Sequence, residues 1–571
     1  MIGDSVRMRS SPIGVASVLV LLCVLPACYD HSAYEEWLAN GLGSTGSSSS
    51  GSGSSDTGVV TITTAGLTDD SGSASGGETA SGTASATGPD TDTASGGSES
   101  SGPLEPAIIS VDLAPNPILF AGVVAVEVRA ENTEAVYMQL GDGGDVQELA
   151  EVDASIFAGE IAVYSGLETG EQSITLTPWS GDEAGEPMQA TYTLGLPEPG
   201  SEGLWQTGDI GQGSGEVVGV HVLPSGEVLD FGTSTDGGEP RCYLRRRDAG
   251  GSWGVNDLLD VLPGTDCEAI DLEIGDDGRI YLLLRRKSDA GWLWWLAEME
   301  NWGASLETRG FGNKDEVAHA LAEQSGTLAV CGALPTADPE DLLDAMVRIV
   351  RPGKSGQSQS WDYKLGEQGE HQFDEIARGC AFRNDENLVI VGEVFGEHED
   401  DKKRNRRFDL AYSLASNSGE FRVASIDSKT QSVARDVDID ASGRIVITGY
   451  RCDDICAPIG QLWWLDVEGH TLSVAEIGMH ANPILAPHAI RVSPAGYVVV
   501  ASGGLADDSS AFLVRAYEPG SEAPLWTYSR TDPNQFSVAQ CVEVGEYGEV
   551  YPAGFSSFGG VRYPAIATVG G

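Results

Sequence analysis

Three aspartates alternate along one short stretch of the chain, Asp436, Asp438 and Asp440, within the run SVARDVDIDASGRIVITGY at 432–450. Side chains two residues apart in a β-strand point to the same face, so these carboxylates share one side of the predicted strand. Comparable runs elsewhere carry further ionisable residues: His221, Asp271, Glu273, Arg491 and Glu543. Two interpretations fit this pattern. The carboxylates form a ring of hard oxygen ligands for Ca²⁺, or they accept hydrogen bonds from nearby turn amides.

Cysteines are the second set of residues with chemistry to offer. Beyond Cys23 and Cys28 there are seven, and an exported protein can hold them as disulfides. Spacing does not fix connectivity, but it suggests three pairs and leaves Cys541 over: Cys452 with Cys456, Cys242 with Cys267, and Cys331 with Cys380. The first pair would close a short loop, and the other two would join neighbouring repeats. Without CxxC pairs or clustered histidines, the sequence does not favour zinc.

Two further stretches favour structural roles. The run 248–253, DAGGSW, resembles the Asp-box turn of sialidase-type propellers, although Arg246 stands where that motif has Ser. The run 397–407, EHEDDKKRNRR, segregates its charges as a solvated hairpin tip does. No histidine spacing typical of a triad is present. The sequence therefore identifies no catalytic constellation.

Seven similar units organise the second half of the chain, at roughly the 50–60-residue spacing typical of repeat folds. They begin near the following residues: Val217, Ala269, Val317, Ile376, Val433, Pro487 and Val538. Each has an alternating apolar run, a turn that contains Gly in six of the seven units, and a β-branched run that in most units ends in Gly; the second unit has Arg285 instead. Third and fourth strands follow, except that the seventh unit shows no fourth strand before Gly571. The segment 204–210, LWQTGDI, is similar to 525–530, LWTYSR, so we expect it to complete the seventh unit and close a ring.

These units resemble the SBBP-type β-propeller repeats of bacterial exported proteins, with their DG-type turn and V-x-x-G strand ending. The resemblance covers about 203–571 and implies an all-β chain with a seven-bladed β-propeller. It implies no reaction, because that family has none in common. A β-helix or two stacked sandwiches are the alternatives.

The N-terminal part predicts export. Residues 1–27 have a basic start, an apolar run at 13–25 and the ending Leu25-Pro26-Ala27-Cys28, which resembles a bacterial lipobox and implies a diacylated Cys28. Residues 28–103 are rich in Ser, Gly and Thr and favour a disordered tether. Residues 104–197 contain seven short alternating segments and resemble an immunoglobulin-like β-sandwich, acting as a spacer.

Charge narrows the choice of partner. The chain has 33 Lys+Arg against 86 Asp+Glu, which disfavours nucleic acid. We expect a lipid-anchored envelope protein, by resemblance in the outer membrane, whose propeller head binds a protein or a glycan. A metal-dependent glycan or lactone hydrolase or lyase is the alternative, and a purely structural envelope component is a third hypothesis. No cofactor is expected, apart from Ca²⁺ in the second case.

Overall fold

The computed structural model describes residues 105–571 with interruptions, the longest at 248–257, 336–342, 351–357, 363–372 and 414–420. For the strand residues within 358–375 and 394–432 only the backbone is described. The predicted signal peptide, Cys28 and the tether lie outside the described residues. So do the turn at 248–253, the side chains of 397–407, Cys456 and the side chain of Cys452.

The described residues form 37 β-strands, and the first nine make two antiparallel sheets. Their bounds are β1 Ala107–Ala114, β2 Gly122–Glu131, β3 Ala135–Leu140, β4 Val146–Glu148, β5 Ala150–Asp153, β6 Ile156–Val163, β7 Gly170–Ser180, β8 Glu183–Ala184 and β9 Met188–Leu194. One sheet has the order β1-β2-β6-β5, and the other has β4-β3-β7-β8 with β9 against β7.

Alternation explains how these two sheets share one core. In β2, Val124, Val126 and Val128 are buried while the residues between them are exposed, as a strand with one solvated face requires. The consecutive short strands β4 and β5 join opposite sheets. A hydropathy pattern cannot show such a crossing, because it carries no information on which strand each segment pairs with.

The remaining strands, within the described residues, make seven four-stranded antiparallel sheets in chain order. Sheet 1 is β11 Ser214–Val222, β12 Val228–Asp236, β13 Glu239–Arg247 and β14 Leu258–Asp260; sheet 2 is β15 Cys267–Ile274, β16 Ile280–Ser288, β17 Gly291–Met299 and β18 Glu307–Gly310; sheet 3 is β19 Val317–Gln324, β20 Thr327–Pro335, β21 Leu343–Val350 and β22 Ser358–Asp362. Sheet 4 is β23 Phe373–Asn384, β24 Asn387–Glu397, β25 Arg404–Ser413 and β26 Phe421–Asp427; sheet 5 is β27 Gln431–Ile439, β28 Ile445–Cys452, β29 Pro458–Leu465 and β30 Thr471–Met479. Sheet 6 is β31 Ala489–Val492, β32 Val498–Ala506, β33 Ser509–Tyr517 and β34 Pro524–Arg530; sheet 7 is β35 Phe536–Val544, β36 Val550–Phe558, β37 Val561–Val569 and, from before sheet 1, β10 Glu202–Thr207.

The first strands of these sheets contact one another in a closed cycle. Each of β11, β15, β19, β23, β27 and β31 touches the first strand of the next sheet, and β35 touches β11. The arrangement is all-β and propeller-like, with the seven first strands innermost. Among the described residues, no helix is both long and apolar enough to cross a bilayer.

The junction between sheets 7 and 1 is closed by strand pairing and buried charge. β10 pairs antiparallel with β37, so residues from before sheet 1 form the outer strand of sheet 7. In sheet 1, buried Asp230 accepts hydrogen bonds from Arg245 and Arg247 at 3.0–3.1 Å, and Arg247 also donates to Gln206 of β10. Arg562 of β37 also pairs with Glu216 of β11 at 3.0 Å. The cycle therefore closes through contacts that are far apart in sequence.

A repeated β-bulge accounts for the glycine that ends most second strands. The register slips by one residue between Ala434 and Asp436, and the same slip occurs in the first strands of sheets 1, 2, 3, 4 and 7. Opposite this bulge, a Cβ added to Gly449 would collide with the carbonyl oxygen of Val433. A Cβ added to the equivalent glycine of another sheet would likewise collide with a carbonyl oxygen of the paired strand, as at Gly232, Gly332, Gly392 and Gly554. In sheet 2 the residue opposite Ala269 is Leu284. The residue that replaces the glycine in this sheet is therefore Leu284 and not Arg285.

Candidate functional site

The seven first strands enclose a central channel with a cavity of about 450 Å³. Its polar lining includes all five candidate metal-binding carboxylates, so the structure does bring them to one cavity: Asp271, Glu273, Asp436, Asp438 and Glu543. The same cavity is lined by His221 and Arg491. The channel is therefore the candidate site, and the question is what each side chain is free to do there.

Three aspartates use their oxygens to join neighbouring sheets. Asp436 accepts from the backbone N–H of Val437 at 2.9 Å and from that of Ile490, on the next first strand, also at 2.9 Å. Asp438 repeats the arrangement with Ile439 at 2.7 Å and Val492 at 2.7 Å.

Asp271 does the same between sheets 2 and 3, accepting from Leu272 at 2.9 Å and Leu321 at 2.8 Å. The hydrogen-bonding interpretation therefore describes these groups, although the donors are strand amides of the adjacent sheet rather than turn amides. Asp440 is the one that serves a turn, accepting from the N–H groups of Ser442 and Arg444.

Arg491 is enclosed by carboxylates. Its guanidinium lies 3.3 Å from Glu543, 3.6 Å from Asp436 and 4.0 Å from Glu273, and it donates to the carbonyl of Ile490 at 2.9 Å. Glu543 also lies 3.7 Å from Nδ1 of His221. The contacts of Arg491 join sheet 6 to sheets 2, 5 and 7, so Arg491 neutralises and positions the acidic arc of the channel.

Desolvation shifts the protonation of this arc. Burial raises the pKa of Asp271 to about 7 and that of Asp438 to about 6, and it raises the pKa of Glu273 well above its usual range. Burial lowers the pKa of His221, against the opposite effect of Glu543. Burial alone would lower the pKa of Arg491, but the surrounding carboxylates, Glu543 first, raise it well above its usual value. The arc thus carries less negative charge at neutral pH than its composition suggests.

Metal coordination by these carboxylates stays a prediction, and the geometry does not favour it. Within the described part of the chain, no group of three or more His, Cys, Asp or Glu side chains is arranged to hold a metal ion. A Ca²⁺ site needs several oxygens that converge on one point. Here both oxygens of Asp271, Asp436 and Asp438 already accept backbone N–H groups.

The other end of the channel has a different lining, which the sequence analysis did not single out. The side chains that face the cavity here are cationic, ionisable or amide-bearing on five adjacent sheets: His319, Arg378, Arg435 and Gln540 at bulges, and His488 directly before β31. On sheets 1 and 2 the equivalent residues are Val218 and Ile270. The available signal was the position itself, since Arg435 directly precedes Asp436 and the aligned units carry a polar residue there in five of seven cases.

The cysteines divide into one disulfide and three thiols among the described residues with placed side chains. Cys242 of β13 and Cys267 of β15 are joined, with Cα atoms 5.4 Å apart, so this predicted bridge does link sheets 1 and 2. Cys331 and Cys380 are buried free thiols, and the bridge expected between them is not formed. The units' spacing placed them correctly on facing strands of sheets 3 and 4, but it carries no information on sulfur geometry. Cys541 is a third buried thiol and donates to the carbonyl of Ala553.

Comparisons with known proteins show no family. No family model matches the chain, and no curated protein matches it. Among solved structures, it is similar to the β-propeller domain of the Trilobed protease from Pyrococcus furiosus, with a TM-score of 0.39 and 11% identity over 63% of this chain and 94% of that one. It is also similar to a polysaccharide lyase, with a TM-score of 0.40 and 10% identity over 62% of this chain and 89% of that one. A third is a Hadza microbial sialidase, with a TM-score of 0.34 and 9% identity over 81% of this chain and 96% of that one.

Proposed function

We propose that the chain is a lipid-anchored envelope binding protein whose seven-bladed β-propeller head presents its central channel and loops to a glycan or protein. In this proposal Cys28 carries the lipid, 28–103 is the tether, and the two-sheet unit at 104–197 is an immunoglobulin-like spacer. The observation that carries it is the division of labour in the channel. The aspartates accept hydrogen bonds from the ring itself, whereas His319, Arg378, Arg435, His488 and Gln540 line the cavity.

The lipid anchor is tested in the source cell type by metabolic labelling with radioactive palmitate and membrane fractionation. The wild type should carry label and sediment with the outer membrane, and Cys28→Ala should lose the label and enter the soluble fraction. Cys23→Ala is the matched control and should behave as the wild type. Wild-type protein without label would refute the anchor.

Binding is tested separately with a glycan array and with crosslinking in intact envelopes. We expect retention of one glycan class or a reproducible crosslinked partner. A protein that gives neither in the envelope of its own cell would leave only a structural role and refute the proposal.

One observation favours the enzyme as a second candidate. Glu273 has a pKa raised by burial and His221 a pKa lowered by burial, which is how paired acids and bases are set in active sites. A turnover screen on glycans and lactones checks this, with Glu273→Gln as the inactive control. Product formed equally by both proteins would rule out a role for Glu273.

A further inference from the structure

An arc of polar side chains occupies one end of the channel. His319, Arg378, Arg435 and His488 belong to sheets 3 to 6, Gln540 follows on sheet 7, and all five line the cavity. On sheets 3, 4, 5 and 7 a bulge sets this arrangement, because an extra residue in one strand redirects a side chain relative to the regular ladder. The arc therefore arises from the repeat itself.

The two arginines of the arc are held in place by buried partners. Arg378 donates through Nε and Nη2 to one oxygen of buried Glu393, at 3.0 and 2.6 Å. The guanidinium of Arg435 lies over the ring of buried Tyr450, 5.5 Å from its centroid. A planar guanidinium fixed by stacking and hydrogen bonds loses little freedom when it binds a carboxylate. The wall of the cavity thus presents two preorganised guanidinium groups, of which that of Arg378 is paired with a buried carboxylate.

The side-chain oxygen of Gln540 is a hydrogen-bond acceptor at the edge of this arc. Its Oε1 is buried and has no hydrogen-bond partner among the described residues. Buried polar atoms are usually satisfied by protein, water or ligand. A hydroxyl or N–H group on a ligand would satisfy this oxygen.

Space for a ligand lies beside sheets 3 and 4. There the lining residues after the bulge include the small residues Ala320 and Ala322 on β19 and Ala381 on β23. On sheets 2 and 7 the same levels hold Asp271, Glu273 and Glu543. A cavity of about 450 Å³ falls in the range that takes ligands of sugar size.

We propose that the channel binds a hydroxylated organic anion of monosaccharide size, with its anionic group at Arg378 and Arg435 and a hydroxyl donating to Oε1 of Gln540. This rests on the proposed binding function and names its ligand class. Orientation follows from charge: Glu273, Asp438 and Glu543, grouped around Arg491, lie two to three residues further along the strands, roughly 7–10 Å away. They exclude the anionic group from that end and accept hydroxyls there.

Isothermal titration of the purified protein with D-glucuronate tests the proposal. D-glucose is the neutral counterpart, and glucose 6-sulfate distinguishes a sulfate from a carboxylate. We expect glucuronate or the sulfate to bind at least 10-fold more tightly than glucose. Equal affinity for glucose and both anions, or no binding of any of them, would overturn it.

Two variants locate the binding in the channel. Arg435→Gln should weaken binding of the anion at least 10-fold, and Ala381→Leu should do so by filling the space without removing a charge. The matched control is Arg286→Gln, because Arg286 also stacks on an aromatic ring, 4.9 Å over Trp295, but does not line the cavity. Binding that survives both channel variants, each shown to be folded by its melting temperature, would place the ligand elsewhere and contradict the inference.

The test of the ligand class can fail independently of the test of the proposed binding function. Retention of envelope glycans or a protein partner together with no affinity for these anions would refute the ligand class and leave the binding protein standing. Loss of both would refute the two together.

Discussion

Arg491 and Arg435 lie on adjacent first strands and face the same channel, yet their surroundings differ. Arg491 is enclosed by Glu273, Asp436 and Glu543 within 4.0 Å. Arg435 lies at a bulge, over Tyr450, beside a second arginine and two histidines that line the same end of the cavity. A charged residue that faces a channel is thus not by itself a ligand-binding residue. What separates the two residues is the kind of neighbour, which is a group of carboxylates around Arg491 and an aromatic ring beneath Arg435.

The largest expected effect comes from breaking the bulge that aims Arg435. Gly449→Ala places a Cβ against the carbonyl oxygen of Val433, so we expect the free energy of unfolding to fall by about 3 kcal/mol and the affinity for anions to fall with it. Chemical denaturation measures the first quantity. Gly496→Ala is the control, since Gly496 has φ +88° but open space around it, and it should cost about 1 kcal/mol without affecting binding. Equal losses in the two variants would contradict the role of the collision.

The next effect separates the two arginines directly. Arg491→Met leaves three carboxylates close together without their cation, and we expect it to lower the free energy of unfolding by about 2 kcal/mol at pH 8. The loss should shrink at pH 5, where protonation relieves the repulsion. Arg435→Met should cost less than about 1 kcal/mol at either pH. If Arg435→Met proved the more destabilising, the assignment of structural and binding roles would be reversed.

The smallest effect concerns pH and Asp271. Its pKa in the folded protein, about 7, lies above that of an unfolded aspartate, so the folded state binds the proton more tightly. Stability from this group is therefore greatest below about pH 4 and is lost as the pH rises to about 7. Asp271→Asn should make the decline in melting temperature between pH 4 and 8 shallower, by about 1–2 kcal/mol in free energy, a range discounted because Asp271 is partly exposed. An unchanged slope would show that Asp271 does not titrate in this range.

Much of the architecture was accessible from the sequence because it depends on local patterns. Alternating apolar residues and turn glycines predicted an all-β chain, and the spacing of the units suggested that Cys242 and Cys267 face each other, as they do. The glycine that ends most second strands was visible too. The reason for this glycine could not be predicted. It depends on a carbonyl oxygen of the paired strand at a bulge, and no residue pattern marks the bulge.

The candidate site was accessible only in part. The sequence drew attention to Asp436 and Asp438 by their charge and spacing, and the structure places them in the channel. It could not show that their oxygens accept N–H groups from Ile490 and Val492, 54 residues away. Arg435 was overlooked because a strand with regular alternation would turn it away from Asp436. The bulge changes that direction, and bulges follow from pairing between strands.

A crystal structure of the protein with D-glucuronate tests the central claim most directly. The account predicts that the carboxylate lies within hydrogen-bond distance of Arg435 or Arg378, that a hydroxyl lies near Oε1 of Gln540, and that Arg491 keeps its three carboxylate partners. A carboxylate bound at Arg491 with Glu543 displaced, or a ligand held only outside the channel, would contradict it.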